Sequence, residues 1–100
     1  MAAYMIVLSK LQGDRETFIS DYAVPTAKLV AQHGGEYVVR APELVCLEGF
    51  VDAKTSVVVS KFPAKSDIEA LWNCEAYQKL KPVRRVHSSS TILVVEMPDS

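Results

Sequence analysis

Cysteine is nearly absent: Cys46 and Cys74 are the only two, far apart and outside any CxxC or histidine-spaced arrangement. That pattern excludes a zinc-binding signature and a disulfide framework, so no metal is expected and both thiols should be free in a reducing cytoplasm. An excess of either charge is lacking too, since 11 basic and 12 acidic residues leave a net charge of −1. Without a positive footprint the chain has no grip on a phosphate backbone, and nucleic acid is not expected as a partner. No apolar run approaches the ~20 residues that a membrane helix needs, so no membrane partner is expected either. The apolar N-terminal stretch through Leu8 has no basic leader and breaks at Ser9-Lys10, which reads as a strand and not a targeting segment. Repeats, linkers and low-complexity stretches beyond Ser88-Ser89-Ser90 are missing. One domain over residues 1–100 is the expectation.

What is present is apolar material, 49% of the chain, enough for one core. Tyr4 to Leu11 reads as a first strand. Asp14 is placed to cap a helix, with Glu16 in its first turn. From Arg15 to His33 the residues Phe18, Tyr22, Leu29 and Val30 recur at helical spacing, Pro25 predicts a kink, and Gly34-Gly35 a left-handed end. Glu36 to Arg40 and Glu43 to Glu48 read as one second strand interrupted at Pro42. Gly49 to Thr55 is a loop, and Ser56 to Phe62 a third strand in hairpin with the second. Ser66-Asp67-Ile68-Glu69 matches a capping box for a second helix ending at Asn73-Cys74. Glu75 to Lys81 adds a helical turn, Pro82 to Val86 is compatible with more helix, Ser88 to Ser90 reads as a hinge, and Thr91 to Met97 as the fourth strand.

The order β-α-β-β-α-β defines an α+β, ferredoxin-like fold with an antiparallel four-stranded sheet. Right-handed crossovers then put both helices on one face of that sheet. The opposite face should alternate with polar residues if it met water. It does not: Ile6 and Leu8 oppose Met5 and Val7, Val57 and Val59 oppose Val58 and Phe62, and Ile92 and Val94 oppose Leu93 and Val95. Each such side chain left in water forgoes roughly 1.5–3 kcal/mol of burial. A homodimer, with a second copy covering the patch, is the simplest remedy.

The run from Ala27 to Arg40, then Leu47-Glu48-Gly49, Val57 through Pro63, and Trp72 with Glu75 through Leu80 and Arg84, resembles Domain of Unknown Function 1330 over nearly the whole chain. That family lies in the dimeric α+β barrel superfamily, so the resemblance implies pairing of two sheets into a barrel. Related barrels include cofactor-free monooxygenases, isomerases and haem enzymes, and a fold shared with all of these implies no single reaction. His33 stands where a tyrosine commonly precedes the glycine pair, and Pro82 interrupts the approach to Arg84.

The candidate catalytic residues are Arg84, His33 and Glu48. The resemblance places an arginine at Arg84, and a guanidinium can hold a carboxylate or enolate in two hydrogen bonds; its neighbour Arg85 should point elsewhere. His33, like His87, titrates near neutrality, though a place at a helix end equally suits a structural cap. Glu48 could move a proton, or with Arg40 form an ion pair holding the hairpin. Substrate-binding candidates are Arg40, Tyr37, Tyr77 and Trp72, the phenols as hydrogen-bond donors and Trp72 equally as core. Cys46 and Cys74 have no basic neighbours to activate them and are expected to be buried and inert. The function expected is that of a small-molecule enzyme needing no metal or nucleotide cofactor. It would catalyse proton transfer or oxygenation of a carbonyl, carboxylate or phenolic compound, and the rival is a homodimer that only binds a ligand or serves as structure.

Overall fold

Alternating apolar residues place the first strand, β1, at Ala3–Leu11 in the computed structural model, which describes residues 1–98. Asp14 caps the next element as expected, its carboxylate accepting from the Thr17 N–H at 3.0 Å. The predicted kink at Pro25 takes a specific form. Helix α1 (Arg15–Phe18) passes into a π-helical segment, Ile19–Ala23, before α2 (Val24–Gln32) begins with Pro25 in its first turn. Proline lacks the N–H that an uninterrupted α-helix would use there, and the wider turn absorbs the mismatch. Gly34, at φ +80°, then reverses the chain.

Strand β2 is Glu36–Ala41 and β3 is Ser56–Phe62. The expected continuation of β2 through Glu43–Glu48 does not form. Those residues lie in a loop, 42–55, fastened by the Leu44 N–H to Ala53 carbonyl bond and by ion pairs Lys10–Asp52 and Lys54–Glu43. Pro42 ends the ladder, and the apolar residues beyond it face outward, with Leu47 and Phe50 at 95% and 90% exposure. Cys46 is exposed there, against the expectation of burial, whereas half-buried Cys74 caps the last helix through its sulfur.

Helix α3 spans Lys65–Asn73 and starts two residues before the capping box predicts. Ala64 is its cap residue, and Asp67 supplies the side-chain half of the box by accepting the Ala64 N–H at 3.0 Å. Helix α4, Glu75–His87, runs through Pro82 without stopping. The serine triplet, expected as a hinge, opens β4 (Ser88–Glu96), because each of the three serines has a register partner on β1.

The sheet order is β2-β3-β1-β4 with every pair antiparallel. All helices lie on one face, where Ala3, Met5 and Phe62 of the strands meet Leu29, Val30, Ile68, Leu71 and Tyr77. The outer face carries Ile6, Leu8, Val39, Val57, Leu93 and Val95, half-buried or exposed, with no helix over them. Gly35 is essential where α2 turns into β2: an added Cβ would lie 2.5 Å from the Phe62 ring and 2.8 Å from Val30. Gly35→Ala should therefore destabilise the fold by about 1–3 kcal/mol through overpacking, read as a lower urea midpoint at unchanged slope.

Candidate functional site

A bulge in β2 decides which side chains reach the helix-covered face. Tyr37 pairs with Ser60, but Val39 pairs with Val59, so Val38 is an extra residue and Arg40 comes opposite Val58. Without the bulge, residues three apart would face opposite ways. With it, Tyr37 and Arg40 share the inner face, and the guanidinium stacks 4.4 Å from the Tyr37 ring centroid.

Above that face, the helices leave a cleft of about 110 Å³, on the scale of a cavity that holds a small aromatic ring. Its floor is Val7, Val58 and Ile92, with Ser60 and Met5 toward one end and Ser9, Ser56 and Ser90 toward the other. Its roof is Phe18, Tyr22 and Thr26 from the first helical run, and Tyr77 and Arg84 from α4. The π-helical segment carries Tyr22, whose hydroxyl lies 2.7 Å from that of Tyr77. One phenolic proton makes that bond; the other remains to be donated. The rings of Phe18, Tyr22, Tyr77 and Trp72 pack in sequence behind it.

Arg84 is the most unusual group in the molecule. It is only 8% exposed, yet no carboxylate pairs with it among the described residues, and its Nε is buried without a hydrogen-bond partner. Its nearest compensation is the Trp72 ring, 5.9 Å away. Ser60 Oγ is likewise buried and unpartnered. Thr26 Oγ1 approaches Tyr22 closely enough to favour the phenolate slightly, but not in hydrogen-bond geometry. Asp, Glu, His and Cys are all missing from the described lining, so the cleft's polarity is cationic and hydroxylic.

Of the candidates named from the sequence, Arg40, Tyr37, Tyr77 and Arg84 all line this one cleft. His33 and Glu48 do not join them. His33 turns back on its own helix, Nδ1 donating to the Leu29 carbonyl at 2.8 Å, and Glu48 sits in the exposed loop. Arg40 stacks on Tyr37 and forms no ion pair with Glu48. Trp72 lies behind Tyr77 and lines a second hollow beside Arg84, while Arg85 is exposed and is not among the residues lining the cleft. Sequence reasoning missed Ser60, Thr26 and the Ser9-Ser56-Ser90 row. The polar positions interrupting β-branched runs in β1 and β3 were the signal.

Burial, reinforced by the adjoining Tyr77, raises the Tyr22 pKa well beyond the usual phenol range. Burial raises Tyr37 as well, with Arg40 acting in the opposite sense. Folded-state values above the unfolded value of 10.0 mean that stability from these phenols is complete below about pH 10 and lost as pH climbs toward the folded values. Urea melts between pH 8 and about pH 11 should show a steeper alkaline decline for the native chain than for the Tyr22→Phe/Tyr37→Phe variant.

A crystal structure of a protein of unknown function from Rhodopseudomonas palustris superposes with a TM-score of 0.79 at 14% identity, covering 99% of this chain and 84% of that one. The cofactor-independent oxygenase SnoaB of Streptomyces nogalater gives a TM-score of 0.70 at 13% identity, covering 99% and 95%. An antibiotic biosynthesis monooxygenase gives 0.59 at 12% identity, covering 97% and 99%. No curated protein matches the sequence. These likenesses share the ferredoxin-like α+β fold, and the model of one sequence family matches residues 2–98: the chain belongs to the family Domain of unknown function (DUF1330).

Proposed function

We propose that this protein is a small-molecule enzyme whose cleft binds an enolisable or phenolic compound and stabilises it as its anion. The observation that carries the reading is Arg84, a guanidinium nine-tenths buried against a cleft without a single acidic side chain among its described lining. An unpaired buried cation costs several kcal/mol, and a ligand oxyanion is the natural partner for it. Arg84 would take a carboxylate or enolate oxygen in two hydrogen bonds, while the Tyr22–Tyr77 pair offers its spare proton to a developing negative charge. Stabilising the anion makes the substrate's own proton easier to remove, which serves isomerisation or oxygenation alike. The fold shared with a cofactor-independent oxygenase supports this class of chemistry.

The absence of a carboxylate or imidazole among the described lining favours a second reading, a site that binds its ligand without turning it over. Measured turnover of any bound compound decides between the two. Either way Arg84→Met should abolish stabilisation of the fold by millimolar benzoate in a thermal-shift assay. The free variant should be as stable as the native chain, or more so by about 1–2 kcal/mol, because a functional site was relieved of an unpaired charge. Strong destabilisation of Arg84→Met would assign the guanidinium to the structure instead.

Pairing belongs to the same proposal. The apolar outer face, with Leu93 47% exposed and Ile6 and Leu8 half-buried in one chain, supports a homodimer formed sheet against sheet. The Lys10–Asp52 ion pair ties loop 42–55 to the outward-facing side of β1, and Leu47 and Phe50 of that loop are exposed. Sedimentation at low micromolar concentration should give a two-chain mass for the native protein and a one-chain mass for Ile6→Glu/Leu93→Glu.

A further inference from the structure

The serine row across the floor of the cleft specifies a feature of the ligand that Arg84 does not. Ser56, Ser9 and Ser90 are register partners on β3, β1 and β4, so their side chains stand abreast on the inner face. Their hydrogen-bond directions are fixed by one carbonyl. Ser88 Oγ lies 2.8 Å from the Arg84 carbonyl oxygen, which only accepts, so Ser88 donates to it. With that proton committed, the 3.1 Å contact between Ser88 and Ser90 requires Ser90 to donate. The 3.0 Å contact between Ser90 and Ser9 then requires Ser9 to donate. Ser56 donates separately to the Ser9 carbonyl at 3.1 Å.

Every hydroxyl proton of the row is thus directed into the protein. What Ser9 and Ser56 present to the cleft is lone pairs alone. Arg84, by contrast, can only donate, and so can Arg40. A ligand that satisfies both must carry an acceptor and a donor.

Resting on the reading of the cleft as an anion site, we infer that the ligand is bifunctional. It carries an anionic oxygen for Arg84 and a hydroxyl or N–H for the oxygens of Ser9 and Ser56. Both groups sit on a small flat body resting on Val7, Val58 and Ile92. Hydroxylated aromatic carboxylates are the simplest members of that class. A ligand bearing an ether or a second carboxylate in place of the hydroxyl meets lone pair with lone pair and is rejected.

Isothermal titration of the full chain with benzoate, its three monohydroxy isomers and the matching methoxy isomers tests this. At least one hydroxybenzoate should bind about tenfold more tightly than benzoate, as one well-made hydrogen bond allows. Its methyl ether should bind no better than benzoate. In the Ser9→Ala/Ser56→Ala variant the ratio of hydroxybenzoate to benzoate affinity should fall from about ten to about one, and a ratio kept at its native value overturns the inference. Equal binding of benzoate and all three hydroxy isomers, or a methyl ether that binds as tightly as its phenol, overturns the inference and leaves the anion site standing. Failure of every one of these carboxylates to bind overturns both.

Discussion

Withdrawing a guanidinium from water without giving it a counter-charge is among the costliest arrangements a small domain can tolerate, and Arg84 is held that way from the inner side of α4. The surrounding structure is what keeps it there. Tyr77 packs on Trp72 two turns upstream in α4, Trp72 of α3 lies beside the guanidinium, and the Ser88 hydroxyl clamps the Arg84 carbonyl where helix becomes strand. Against a total stability of about 5–15 kcal/mol typical for domains, the several kcal/mol cost of such a charge is a large fraction of the whole. The cleft's hydroxyls, its aromatic wall and the lack of acids among its described lining residues are all intelligible as the surroundings of that one cation.

A second constraint comes from chain topology. Right-handed crossovers send every helix to one side of the sheet, so the same four strands must serve two unlike surfaces. On the inner side β1 alternates Met5 and Val7 with Ser9, grading from sealed core to polar cleft; on the outer side Ile6 and Leu8 continue without polar relief until Lys10. The core proper is therefore displaced toward Phe62, Ile68 and Leu71, at the end of the sheet away from the serines. The cleft occupies the end where the packing runs out.

Element order, the four main strands and the Asp14 and Gly34 helix ends were legible in the sequence, because each rests on local chemistry: β-branched runs, a capping carboxylate, a glycine at positive φ. The failures share a cause as well. Glu43–Glu48 has strand-like composition but no neighbour to pair with, and Ser88–Ser90 has loop-like composition but a full set of partners on β1. Strand formation is decided by pairing, which a single stretch of sequence does not reveal. The site divided in the same way. Arg84, Tyr37, Tyr77 and Arg40 were recognisable as chemically capable residues, whereas His33 and Glu48 have equal chemical capacity and are simply in the wrong place. Ser9, Ser56 and Ser90 acquire meaning only once three strands lie side by side.

The extra residue in β2 has a consequence for how this strand tolerates change in length. Beyond the bulge every side chain is one step out of phase with its sequence parity, so drawing Val38 into the ladder would carry Arg40 from the cleft to the greasy reverse side and Val39 inward in its stead, whereas deleting Val38 would leave Tyr37 and Arg40 together on the cleft side. Loop 42–55 keeps no such count, and a change in its length leaves the parity of the flanking strands untouched. Strand β2 is only six residues long, yet a single peptide unit within it sets both the cationic rim of one surface and the neutrality of the other.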